Sequence, residues 1–202
     1  MNEHRVVSRS EFFRDGLRQL FSTATEVASA FAQSSIEKVV IPSHRPPGAI
    51  EEGVFLLTCT RCDACAEACP HDAIVIARED QGVAVGTPVI RPVESPCRLC
   101  EDMPCIAACE DEALLPSERV KMGTAHISMT NCLAYAGQIC DYCFTQCPLK
   151  RTAIVMEGRK TRVIEDECVG CGICEEICPA PSGGAITVIP SNDSHVGRPD
   201  AA

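Results

Sequence analysis

Sixteen cysteines in 202 residues, gathered into four complete quartets, limit what this chain can fold into more than any other feature. The quartets are Cys59, Cys62, Cys65 and Cys69; Cys97, Cys100, Cys105 and Cys109; Cys132, Cys140, Cys143 and Cys147; and Cys168, Cys171, Cys174 and Cys178. Their first members are 38, 35 and 36 residues apart, and no cysteine is left over. A fixed period of that size marks a repeated structural unit. Large side chains are scarce, with no Trp, 2 Tyr and 6 Phe. Aromatic packing cannot carry the core of such a chain, so something else must.

The first and fourth quartets read C-x2-C-x2-C-x3-C, the bacterial ferredoxin spacing for a 4Fe–4S cluster. Three cysteines at intervals of three wrap a loop around one cubane. The fourth lies one helical turn further on and, in two-cluster ferredoxins, ligates the other cluster. Pro70, Pro148 and Pro179 each follow a fourth cysteine, where a fixed φ stops the helix. The second quartet is C-x2-C-x4-C-x3-C, followed by Glu110, and the third is C-x7-C-x2-C-x3-C. Extra residues between ligands lengthen a loop and leave ligation intact. Disulfides suit repeated x2 spacings poorly. Zinc sites use separated pairs with four ligands in total. All sixteen cysteines are therefore expected to be iron ligands of four 4Fe–4S clusters, which serve as the missing core and couple metal binding to folding.

The remaining chain frames these repeats. Residues 8–33 place Phe12, Phe13, Leu17, Leu20, Phe21, Ala24, Val27, Ala28 and Phe31 at helical intervals, giving an amphipathic helix in an N-terminal extension, 1–33. Residues 34–50 read as a linker containing Pro42, Pro46, Pro47 and Gly48. The cluster-binding domain spans 51–190, and 191–202 read as a disordered tail. Short strands are expected at Ala73–Ala77, His126–Met129, Ala153–Met156, Arg162–Ile164 and Ala185–Ile189. Glu157-Gly158-Arg159-Lys160 is expected to turn between two of them, and residues 79–96 and 110–131 to loop between repeats. The fold class is α+β, with two ferredoxin-like units.

Several functions are excluded or disfavoured. The net charge of −10 repels nucleic-acid backbone, so no nucleic acid is expected as partner. Residues 1–50 carry net +1 and residues 51–202 net −11, and the acidic part holds every cysteine. No apolar run reaches the roughly 20 residues that span a bilayer. The sequence shows no Gly-rich phosphate loop, no H-E-x-x-H and no G-x-S-x-G, so no catalytic residues are expected. His71 after Pro70, and Lys150-Arg151 after Pro148, read as exposed loop positions. Ser8-Arg9-Ser10-Glu11-Phe12-Phe13-Arg14 is similar to a twin-arginine export motif, with Ser10 where the second arginine belongs, and Asp15, Arg18 and Glu26 interrupt an apolar run. The expectation is a cytoplasmic protein with peripheral membrane association. The alternative is a periplasmic one, exported through this degenerate signal.

Arg45-Pro46-Pro47-Gly48-Ala49-Ile50, then Cys59-Thr60-Arg61-Cys62-Asp63-Ala64-Cys65, resemble the opening of the NapG/MauM ferredoxin-type proteins. Gly86-Thr87-Pro88, Cys97-Arg98-Leu99-Cys100-Glu101-Asp102-Met103-Pro104-Cys105, Cys140-Asp141-Tyr142-Cys143 and Cys168-Val169-Gly170-Cys171-Gly172 continue the resemblance over about residues 45–190. It implies an electron-transfer protein between a membrane polyferredoxin or quinol dehydrogenase and a terminal oxidoreductase, such as periplasmic nitrate reductase or methylamine dehydrogenase. A maturation or assembly factor for a redox enzyme is the alternative. The second quartet also resembles four-cluster subunits of molybdenum oxidoreductases, which implies nested pairing. Cys178 would then join Cys59, Cys62 and Cys65, while Cys69 joins Cys168, Cys171 and Cys174. Cys147 would join Cys97, Cys100 and Cys105, while Cys109 joins Cys132, Cys140 and Cys143. The short gap between Cys147 and Cys168 also suits a simple ferredoxin order.

Overall fold

The computed structural model describes residues 43–117, 120–181 and 184–191. The expected N-terminal helix and the tail beyond Ser191 lie outside the described residues. Within them the architecture is α+β, with short helices and three two-stranded antiparallel sheets. Strand β1, Ile74–Ile76, pairs with β2, Pro88–Ile90. Strand β3, Gly123–Ile127, pairs with β6, Ile186–Pro190. Strands β4, Ile154–Glu157, and β5, Lys160–Val163, form a hairpin. Its turn falls on Gly158, at φ +64, as the Gly158-Arg159 signal demands.

Each helix that carries a cysteine triplet's last member is about one turn long: Ala64–Glu67, Pro104–Ala107, Tyr142–Gln146 and Ile173–Glu176. Pro70, Pro148 and Pro179 follow three of them and end the run. Pro104 opens the second helix at its first position, where the missing N–H costs nothing.

Three stretches differ from their sequence expectation. Residues 110–131, read as loop with a strand at His126–Met129, carry strand β3 at Gly123–Ile127, whose partner is the distant β6. Residues 79–96, read as loop, contain a kinked 3-10 segment, Glu79–Ala84, and strand β2. Strand β2 is three residues long and begins at a proline, so no alternating pattern could announce it. Residues 43–47, read as part of a linker, are buried. Arg45 is the cause. Its guanidinium makes a two-pronged pair with Glu52, Nε to Oε2 at 2.8 Å and Nη2 to Oε1 at 2.5 Å. Nη1 donates to the Thr87 hydroxyl at 2.6 Å and the Pro88 carbonyl at 2.9 Å. The same cation lies 4.5 Å from the centre of the fully buried Phe55 ring. Phe55 sits on helix Glu52–Thr58, whose start is capped by the Glu51 carboxylate accepting from the Gly53 and Val54 amides.

The main core joins Phe55, Ile74, Ile90, Ile106, Leu114 and Met122 to several cysteines. Smaller buried groups form around Ile154, Ile186 and Val188, and around Cys132, Ala134 and Ala185. In each, aliphatic side chains pack against sulfur. Among the described residues no helix is long and apolar enough to cross a membrane.

Candidate functional site

The structure gathers all sixteen cysteines into four chambers with four thiols each. Cys59, Cys62, Cys65 and Cys109 line the first. Cys69, Cys97, Cys100 and Cys105 line the second. The third holds Cys147, Cys168, Cys171 and Cys174, and the fourth Cys132, Cys140, Cys143 and Cys178. Each chamber takes three thiols from one quartet and its fourth from another.

The fourth cysteines are exchanged between the first and second quartets and between the third and fourth. This overturns the nested order. The physical reason is local packing. Helices Ala64–Glu67 and Pro104–Ala107 lie against each other, as do Tyr142–Gln146 and Ile173–Glu176. Residues 70–96 make one excursion through β1 and β2 and return beside their starting point. No long crossing between the ends of the chain is needed.

The loops shape their own sulfur environment. Arg61 and Asp63 flank Cys62 with φ of 60 and 61, and Gly170 and Gly172 flank Cys171 with φ of 72 and 90. Left-handed residues at such positions are a feature of concave loops whose amides favour negative charge. Glycine is required at 170: a Cβ there would lie 2.4 Å from the Gly123 nitrogen. Further amides reach the exchanged thiols directly. Ala73 N–H donates to Cys69 Sγ at 3.4 Å, Leu114 to Cys109 at 3.4 Å and Ala185 to Cys178 at 3.2 Å. Ala125 donates to Cys168 at 3.5 Å. Such donors stabilise thiolate and the charge of a bound cluster.

Burial works the other way. It pushes the Cys65 thiol up to about 12, helped by Cys59, Cys109, Cys62 and Cys105. Burial also lifts Cys97 and Cys147 to about 11 and raises Cys174. At neutral pH these thiols keep their protons until a cation displaces them, so loading releases protons.

The chambers suit a cluster better than one ion. Four thiolates around one zinc stand within about 4 Å of each other, given zinc–sulfur bonds of about 2.3 Å. Among the described residues no three Cys, His, Asp or Glu side chains are gathered closely enough for a single metal ion. Each chamber instead sets its four thiols around a space that no single ion bridges. The donor set, the width and the inward amides all fit a 4Fe–4S cubane.

His71 borders the second chamber from the exposed side, and Lys150 and Arg151 are exposed. Sequence reasoning missed Lys121, whose ammonium donates to the Glu165 and Cys168 carbonyls at 2.6 Å each. It also missed His44, buried with neither ring nitrogen in a formed hydrogen bond. Burial pushes the His44 pKa down to about 4, opposed by the nearby Gly170 backbone.

Comparison with known proteins agrees with this chemistry. Residues 55–75 match the model of the 4Fe-4S binding domain, and residues 138–179 that of a 4Fe-4S dicluster domain. The second match joins Cys140, Cys143 and Cys147 of the third quartet to the whole fourth quartet in one unit, the two quartets whose fourth cysteines exchange. The ferredoxin-type protein NapG of Escherichia coli is 34% identical over 90% of this chain and 85% of its own. The methylamine utilization ferredoxin-type protein MauM of Methylorubrum extorquens is 36% identical over 94% and 92%. MauM of Paracoccus denitrificans is 33% identical over 98% and 94%. The chain is thus a ferredoxin-type 4Fe–4S protein that transfers electrons and is not itself a catalyst.

Proposed function

Because the chain belongs to the family of NapG and MauM ferredoxin-type proteins, we propose that it relays electrons through four 4Fe–4S clusters from a membrane quinol-linked donor to a partner oxidoreductase. The observation that carries this reading is the set of four chambers with four thiols each, joined in pairs by single helical turns. All sixteen cysteines act as iron ligands in it. The bound clusters supply one-electron redox centres. The chain's own residues hold those centres near one another, keep water from the buried thiols Cys65, Cys97, Cys105, Cys132, Cys143, Cys171 and Cys174, and aim amides at sulfur. The partners are redox proteins: a membrane polyferredoxin or quinol dehydrogenase on one side, a terminal oxidoreductase on the other.

The relay is tested with anaerobically purified protein. Dithionite or the quinol-linked donor should bleach its visible absorption, and addition of oxidised partner should restore it. Stable binding to an apo-enzyme, with no redox-linked change, would instead identify an assembly factor.

The location proposed is the cytoplasm, with the N-terminal segment retained and attached peripherally at a membrane partner. The interrupted apolar run and Ser10 of the arginine motif support it. Fractionation and the mass of the mature chain test it. A periplasmic protein shortened by about 30 residues would restore the exported reading.

A further inference from the structure

Residues 43–117 hold the first and second chambers, and residues 120–191 the third and fourth; within each of these two modules, single helical turns join the chambers. Cys65 of the first chamber and Cys69 of the second are separated by four residues across helix Ala64–Glu67. Four residues of helix advance about 6 Å. Cys105 and Cys109 repeat the link in reverse, and Cys143 with Cys147 and Cys174 with Cys178 do the same for the third and fourth chambers.

Between the modules no such helix runs among the described residues. The second and third chambers meet at a peptide contact, where the Cys97 N–H donates to the Cys171 carbonyl at 3.0 Å. Both residues are buried, each 8% exposed, and share one buried group with Cys105 and Ile173. The seam around them is tight. A Cβ on Gly172 would stand 2.5 Å from the Pro92 Cβ. Arg98 Nη2, one residue after Cys97, reaches both Glu176 carboxylate oxygens at 3.0 and 3.1 Å. The outer chambers differ. Cys62 of the first is exposed, and Cys140 of the fourth is flanked by Ile139 and Tyr142, 85% and 54% exposed.

We propose that electrons cross between the two modules at the Cys97–Cys171 contact, so that the four sites act in single file. The first and fourth chambers are then the ends that face partners, and the second and third are interior. The inference rests on the relay reading above. Each crossing moves one electron, oxidising the site it leaves and reducing the site it enters, with no covalent bond made or broken. The reductant at one end is the quinol-linked donor, and the oxidant at the other is the redox centre of the partner oxidoreductase.

Electron paramagnetic resonance of the fully reduced holoprotein tests this without recourse to activity. The double variant Cys62→Ala, Cys140→Ala disables the outer chambers. The remaining spins of the second and third chambers should split or broaden each other. The variant Cys100→Ala, Cys168→Ala disables the interior, and the outer spins should lose that coupling. Coupled outer spins, or uncoupled interior ones, would overturn the order. Should the variants fail to assemble, anomalous iron scattering from crystals of the full wild-type holoprotein decides the same point. Four iron centres in one file, with the second and third meeting at Cys97 and Cys171, are expected. A first chamber adjacent to the fourth would refute the proposal. Iron analysis separates this failure from failure of the relay reading: iron present in the wrong order sinks the file alone, and no iron sinks both.

Discussion

The first module, residues 43–117, has a strap that the second module, residues 120–191, lacks. Its Arg45, Glu52, Thr87 and Phe55 form a buried polar and aromatic knot that ties residues 43–55 to strand β2. The second module is held by a local hairpin, the β3–β6 ladder and smaller apolar groups around Cys143, Cys174 and Cys132. Its fourth chamber has the long x7 loop, with Ile139 left in water. Equal numbers of thiols thus sit in unequal scaffolds. The difference teaches that ligand count does not set how far a module depends on its metal. The conventional core around the ligands does.

Removing iron should have the largest effect. Stripping the chain with a chelator under reducing conditions should abolish its cooperative unfolding transition, because binding energy is folding energy in metal-stapled domains. In hydrogen exchange, residual protection at Ile90 and Leu114 of the apo chain should outlast that at Ile154 and Ile186. The reverse order would break the comparison.

Next come two substitutions aimed at one module each. Arg45→Ala removes the two-pronged ion-pair partner of the buried Glu52 carboxylate, 7% exposed, and should destabilise the first module by about 3–5 kcal/mol. Gly170→Ala drives a Cβ into the Gly123 backbone and should cost the second module about 3 kcal/mol or more. Gly158→Ala is its control: φ is +64 but nothing lies within 4 Å of the new Cβ, so about 1–2 kcal/mol is expected. Denaturant titrations followed by visible absorption check all three. Equal costs for the two glycines would show that the close approach at Gly170 is relieved elsewhere.

The repeat was legible in the sequence because the cysteine spacing is short-range. Three ligands per loop follow from Cys59, Cys62 and Cys65 alone, and the strands around Ile74, Ile154 and Ile186 follow from β-branched runs. The partner of each fourth cysteine was not legible. Cys69 and Cys109 lie one helical turn past their own loops, and which chamber they enter depends on how two one-turn helices pack. Resemblance of the second quartet to another protein class gave the wrong answer. Residues 43–50 misled for another reason: Pro46, Pro47 and Gly48 read as a linker by composition, yet Arg45 pulls them inward through a carboxylate seven residues on.

The smallest expected effect concerns His44, buried beside the strap. Its folded pKa of about 4 lies below the unfolded value of 6.5. A depressed histidine contributes stability above the unfolded pKa and loses it as pH falls toward the folded one. Between pH 7.5 and 5.5 the wild type should therefore lose about 1 kcal/mol more than His44→Leu. Equal stability losses for the two proteins, from denaturant titrations at the two pH values, would remove His44 from the account.

The central claim is that four chambers hold four clusters. Quantitation of iron and acid-labile sulfide in anaerobically purified, full-length protein tests it most directly. About sixteen of each per chain are expected, four of each per cubane. Stoichiometric zinc without sulfide, or about eight iron confined to one module, would contradict it.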